Sequence, residues 1–395
     1  MGVLMSWDET PTLTERFAVV REKLHALQAR WRLGSSYSGW CAALQGCSSK
    51  VLPAITLRLR NLVKALAPEY QRREGWLAIA ADGSRVECPR TEANEHGLGC
   101  AGKERTTPQL MVTTLYHMGT GLPWAFEVGP GTESERCQLQ RLIRTLPKDS
   151  LLVTDAGFAS YELCDALQKG GRHFLLRVGS NIHLLTDLGY CYEVRGQTVY
   201  LWPQNAQKHD KRPLKLRLIV LGSGQNRVYL ITDVLDPREL TDEQAGVLYG
   251  MRWGVEVFYR SYKRTMDHHK MLSRTPATCI EEFRWTMVGL WLMGSMSVKN
   301  IVAAGNDPLA WSVAKSRDTL RRALRGAVCG RRPRVALRKQ LASAVKDNYV
   351  RKGPKKARNW PHKKNERPPG PPKIRPATIA EIERAQRLTT QKLAA

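Results

Sequence analysis

Tyr249-Gly250-Met251-Arg252-Trp253-Gly254-Val255-Glu256-Val257-Phe258-Tyr259-Arg260-Ser261-Tyr262-Lys263 is the stretch on which the reading of this chain turns. As an α-helix it advances about 100° per residue, which places Tyr249, Arg252, Glu256 and Lys263 within roughly 60° of arc. Leu248, Met251, Val255, Phe258, Tyr262 and Met266 fall on a neighbouring face, the apolar stripe by which a helix docks on a core. One face packs, and the other carries a carboxylate between two cations and a phenol. An ordinary salt-bridged helix surface has the same composition. Its meaning depends on whether other acids accompany Glu256.

Two other acids do stand out. Gly75-Trp76-Leu77-Ala78-Ile79-Ala80-Ala81-Asp82-Gly83 is an apolar run ending in an acid and a glycine, which predicts a buried strand whose last residue emerges into a site. Leu151-Leu152-Val153-Thr154-Asp155-Ala156-Gly157-Phe158 repeats that pattern. Either acid alone also reads as an ordinary turn residue. Between them, Gln109 to His117 and Gly121 to Val128 read as two strands joined by a turn, and Glu133 to Leu146 as a helix. Tyr161 to Lys169 reads as a helix and His173 to Val178 as a strand. This order predicts an α/β fold, an open mixed sheet with helices packed on it and ligands at strand ends.

Asp82 and Asp155 are 73 residues apart, and Asp155 and Glu256 are 101 apart. The second gap is too long for one strand–helix connection. Strand-like segments at Cys191 to Trp202, Leu214 to Leu221 and Val228 to Val234 predict a β-rich insertion at about 179–237.

The spacing Tyr249-x2-Arg252-x3-Glu256-x6-Lys263 resembles the signature of the insertion-sequence-4 family of DDE transposases. Asp82-Gly83 and Thr154-Asp155-Ala156-Gly157-Phe158 resemble that family's first and second acidic blocks. The resemblance spans roughly residues 75 to 270. It implies a ribonuclease-H-like core in which Asp82, Asp155 and Glu256 are the catalytic carboxylates. They would hold two Mg²⁺ ions, with Mn²⁺ able to substitute, because carboxylate oxygens suit hard divalent cations. Arg252 and Lys263 would hold phosphates, and Tyr249 would bond near the scissile strand. The implied partners are double-stranded DNA, as the element's terminal inverted repeats and the target, and a second copy of the chain in a synaptic homodimer. The implied chemistry is cleavage at the ends and strand transfer. In the family the insertion helps to hold a DNA hairpin or flipped base, which makes Tyr200, Trp202 and Tyr229 stacking candidates; aromatics in a small sheet's core are the alternative. A nuclease on the same core, or an inactive transposase-derived DNA-binding protein, would share much of this sequence.

Composition agrees with a polyanionic partner. The 395 residues carry 62 Lys plus Arg against 36 Asp plus Glu, a net charge of +26 with a pI near 10.0. Residues 315 to 395 hold 24 of those cations and 5 of the acids. Residues 1–72 read as helical, with a capping-box-like start at Thr12 to Glu15 and a basic helix from Leu52 to Leu66, and are a candidate for binding the DNA ends. Residues 73–310 read as the catalytic core and 311–395 as a basic C-terminal region. Composition predicts a disordered phosphate-binding arm there from about 350. Nine scattered cysteines without a CxxC pair read as reduced thiols, mostly core fillers; Cys88, His96 and Cys100 lack a fourth zinc ligand. No signal peptide or run of ~18 apolar residues is present, which predicts no membrane contact and a cytoplasmic, nucleoid-associated bacterial protein.

Overall fold

The computed structural model describes residues 1–28, 30–101, 106–330, 335–347 and 370–393. Three helices come first, α1 (Gly2–Trp7), α2 (Leu13–Leu27) and α3 (Tyr37–Leu66). Strand β1 (Leu77–Glu87), helix α4 (Glu92–Leu98), strands β2 (Gln109–His117) and β3 (Leu122–Pro130) and helix α5 (Glu135–Leu142) follow. Next are β4 (Ser150–Thr154), α6 (Tyr161–Lys169), β5 (His173–Val178), β6 (His183–Thr186), β7 (Thr198–Leu201), α7 (Gln204–Lys208), β8 (Leu214–Leu221) and β9 (Val228–Thr232). Helix α8 (Asp242–Met251) and α9 (Trp253–Arg260) lead into a π-helical turn at Ser261–Thr265. The described chain closes with α10 (Pro276–Ala303), α11 (Val313–Val328), α12 (Leu337–Ala342), β10 (Lys373–Pro376) and α13 (Ile379–Leu393). Contacts divide it into two compact units, Met1–Thr145 with Arg252–Lys346, and Leu146–Met251 with Asp347–Ala395.

In the first unit β1, β2 and β3 form an antiparallel meander, with Asp82 opposite Thr114 and Thr114 opposite Phe126. The β2–β3 turn needs Gly121, whose φ of 73° lies in the left-handed region. Helix α10 is apolar on nearly every side because α1, α3, β3 and α12 all pack against it. Thr275 and Thr278 close its first turn as a reciprocal cap, with Pro276 at the first helical position. The sequence predicts a helix from Leu52, whereas α3 starts at Tyr37 behind a Ser36 cap and runs through Pro53. Packing against α10 outweighs the local breakers: the Trp285 indole donates to Ser48 Oγ (3.4 Å). Thr12 caps α2 as expected, accepting from the Glu15 amide (3.3 Å).

In the second unit β4 and β5 are parallel, joined through α6, and buried almost throughout, which is why they read as unbroken apolar runs. β5 then pairs antiparallel with β9, β9 with β8 and β8 with β7. The expected β-rich insertion is present, but Cys191 to Gln197 is not strand, and β6 was not foreseen. β6 meets β7 only at Leu185 opposite Tyr200 and takes its other partner, β10, from far along the chain. The first unit carries an antiparallel meander and the second a parallel pair extended by antiparallel strands, so the fold class is mixed α/β.

The composition-based expectation of disorder from about 350 is corrected where the chain is described; residues 348–369 lie outside it. Lys373–Pro376 pairs parallel with β6, and α13 follows. Glu381 organises this end. It accepts two bonds from Arg375 (2.8 Å each) and one from Gln207 (3.2 Å), and it exchanges capping bonds with Thr378. Arg375, the largest influence, holds its carboxyl down to about 2. A depressed carboxylate contributes stability above its unfolded value near 4.5 that is lost as pH falls toward 2. Glu381→Gln should therefore cost ~2 kcal/mol at pH 7, discounted for solvent screening, and flatten urea stability between pH 4.5 and 2. An unchanged pH profile would remove this carboxylate from the tail's anchorage.

The cysteines are free, as expected, but only Cys88, Cys164 and Cys279 are buried; Cys47, Cys137, Cys191 and Cys329 are exposed, so they are not mainly core fillers. Among the described residues no helix is long and apolar enough to cross a membrane.

Candidate active site

Asp82 stands in the middle of an 11-residue strand, not at its end. The apolar run stops there, but β2 supplies a partner for β1 through Glu87, so pairing carries the strand onward. An added Cβ at Gly83 would meet the tips of Glu135 on α5 and Met111, side chains that would have to swing aside to admit it.

Helix α9 lies along β1. Gly254 permits the close approach, because a Cβ there would sit 2.9 Å from the Tyr116 ring, and Tyr116 is opposite Ala80. Five residues on, the buried Tyr259 phenol lies 3.1 Å from the Asp82 carbonyl oxygen and 2.9 Å from Thr114 Oγ1. Further along, Lys263 Nζ donates to Ser84 Oγ (2.8 Å), and the Met271 amide donates to the Glu87 carbonyl (2.8 Å). Helix and strand therefore advance in the same direction, with Gly254 against Tyr116, Tyr259 at Asp82 and Lys263 at Ser84. The expected apolar stripe is what docks the helix, with Val255, Phe258, Tyr262 and Met266 buried.

Burial drives the electrostatics. It pushes the Tyr259 phenol well above its ordinary value, with the Asp82 and Glu135 charges adding to the effect, so this hydroxyl stays protonated. Burial also lowers the Lys263 ammonium, while Glu87 and Asp82 act against that shift. Arg252 Nη2 pairs with Glu256 Oε1 at 2.8 Å, one helical turn apart. With its side chain 12% exposed, Arg252 is less screened than a surface partner would be.

The continuous helix expected from Tyr249 to Lys263 is interrupted. A turn at Arg252 separates α8 from α9, and Lys263 sits in the π turn. Such turns recur at functional sites and displace every later side chain around the axis. Tyr249 on α8 and Asp155 belong to the second unit, whereas Asp82, Arg252, Glu256 and Lys263 belong to the first. Asp155 follows β4 directly, as expected, and its Oδ1 accepts from the Gly157 amide (3.0 Å), which fixes the carboxylate in an Asx turn.

Among the described residues no three His, Cys, Asp or Glu side chains gather at metal-holding distance. The donor chemistry of Asp82 and Glu256 nevertheless suits a hard divalent cation, since both are carboxylates with no competing thiol or imidazole in the set. Of the stacking candidates, Tyr200 and Trp202 are core residues of the second unit, with the Trp202 indole donating to the Lys211 carbonyl (2.7 Å). Tyr229 is half-buried. Sequence reading missed Tyr259, Thr114 and Ser84, the groups that join helix to strand, because nothing local marks them. It also missed Trp253, 53% exposed one turn before Glu256; a large aromatic interrupting a docking stripe was the available signal.

This unit thus sets an acid-bearing strand beside a helix that carries an acid and two cations, anchored through Tyr259 and Lys263. The model of the transposase DDE domain matches residues 77–288, more than half of the chain, and the chain belongs to that family. It is 25% identical over 213 residues to the transposase InsG for insertion sequence element IS4 of Escherichia coli (strain K12), covering 51% of this chain and 47% of that protein. The chain thus spans about half the length of this relative. Among solved structures it resembles the piggyBac transposase synaptic complex with hairpin DNA, at 11% identity and a TM-score of 0.42, covering 72% of this chain and 60% of that one.

Proposed function

We propose that the protein is an insertion-sequence DNA transposase that cuts the element's ends and joins them to a target, with Asp82, Asp155 and Glu256 as its catalytic carboxylates. What supports this reading is the anchoring of α9, the helix of Glu256, along β1, the strand of Asp82, by Tyr259 and Lys263 in a chain of the DDE family. In the first step water attacks a phosphorus atom at the element's end, the bond to the 3′ oxygen breaks, and a 3′-hydroxyl leaves. That hydroxyl then attacks a target phosphodiester, one P–O bond forming as another breaks.

The three carboxylates would hold Mg²⁺ or Mn²⁺, two ions in the full site, which would supply charge stabilisation at the attacking and leaving oxygens when bound. Arg252 orients Glu256 through Oε1, and the Lys263 ammonium, held by Ser84 beside the strand, faces the phosphate. Tyr249 bonds near the scissile strand, and the exposed Trp253 offers a face for an unpaired base. The partners in this reading are duplex DNA and a second copy of the chain in the synapse, in the cytoplasm of a bacterium at its nucleoid.

A plasmid carrying the element's own ends tests it, incubated with Mg²⁺ and either wild type or Asp82→Ala. Excised and joined products from wild type alone are expected. Cleavage without joining would make the protein a nuclease on this core, and cleavage that survives Asp82→Ala would place the site elsewhere.

A further inference from the structure

We infer that the groove between α11 and α12 is a second DNA-binding site, which grips the backbone of the duplex beyond the cleavage point without reading its sequence. The groove has a volume of about 1040 Å³ and lies within the first unit. Four exposed cations line it, Lys315, Arg322 and Arg325 from α11 and Lys339 from α12, together with Arg321. Its two carboxylates are already engaged. Glu9 accepts from Arg321 (3.0 Å) with Arg325 at 3.8 Å, and Asp318 accepts from Arg317 (2.9 Å). The balance of the lining is positive, and nothing in it resembles an apolar ligand pocket.

The groove is also tied to the candidate active site. Arg317, on the same helix, donates to the carbonyl of Thr265 at the end of the π turn that carries Lys263. Thr265 lies two residues beyond Lys263, so α11 adjoins the turn that carries it. From Arg317 to Arg325 the helix rises about 12 Å, which matches three to four base-pair steps of B-DNA. Exposed arginines and lysines at that spacing suit phosphates, and among the described residues no aromatic side chain lines the groove, which points away from base stacking. The inference rests on the proposed function only for the identity of the polyanion.

The test is fluorescence-anisotropy binding of a 40-bp duplex across a salt series in EDTA, so that catalysis plays no part. The variants are Arg322→Gln/Lys339→Gln and a control with the same charge change on the second unit outside its insertion, Lys148→Gln/Lys169→Gln, all four residues being exposed. Each lost phosphate contact lowers the slope of log K against log salt by about 0.9, so the groove variant should lose nearly two units of slope. The control should keep the wild-type slope. Equal slopes in groove variant and wild type, or equal losses in groove variant and control, would overturn the groove while leaving the proposed function standing. A wild type that ignores the duplex, or binds only an RNA hairpin, would overturn both.

Discussion

Replacing Glu256 by Gln is expected to reduce strand cleavage by more than about 100-fold, the scale on which loss of a mere outer partner of a metal ligand already falls. Duplex binding should stay within about twofold, since the swap removes a charge from a lobe dominated by cations and leaves its shape intact. The amide is isosteric, so it should not disturb the packing of α9: Val255 and Phe258 dock the helix and Tyr259 ties it to β1, none of them through Glu256. The amide keeps an oxygen that can accept from Arg252, so the contact survives without its charge and the fold should lose little stability. A gel assay of end cleavage beside a filter-binding curve separates the two effects. Cleavage at the wild-type rate would remove Glu256 from the site, and loss of binding together with cleavage would make it a DNA contact and not a catalytic carboxylate.

Trp291→Ala should be the most destabilising single change in the first unit. Its side chain is wholly buried on α10, the helix against which α1, α3, β3 and α12 pack. Truncating a buried tryptophan removes both transfer free energy and packing, ~3–5 kcal/mol, which for a unit of this size lowers the melting temperature by about 8–15 °C. Trp291→Phe should be far milder. The indole Nε1 is buried without an acceptor among the described residues, and an unsatisfied donor costs ~1–3 kcal/mol that phenylalanine avoids, offsetting part of its lost volume. Calorimetry of the three proteins gives the comparison. A phenylalanine variant as unstable as the alanine variant would mean that shape alone decides at this position.

Much of the fold was legible because its signals are local. The strands Gln109–His117, His173–Val178 and Leu214–Leu221 and the helix Tyr161–Lys169 stand where alternation, apolar runs and turn residues put them. The stripe that docks α9 was equally plain, and so was the position of Asp155 just after a strand. What failed shares one property. Asp82 lies mid-strand because β2 continues to pair, α3 passes through Pro53 because α10 covers it, and Lys373–Pro376 is a strand because β6 is there to accept it. In each case the deciding partner is distant in sequence.

The chain by itself determined the mixed α/β pattern, the strongly basic balance and the residue types a carboxylate site requires, because periodicity and charge are carried by neighbouring residues. Only the tertiary structure decided that the stretch from Tyr249 to Lys263 breaks at Arg252, that Lys263 sits on a π turn, and that the buried hydroxyl of Tyr259 fastens Glu256's helix to the strand of Asp82. Those outcomes depend on hydrogen bonds and burial between segments more than a hundred residues apart. Local propensity, worth at most ~1 kcal/mol per ordinary residue, gives way to contacts of that kind.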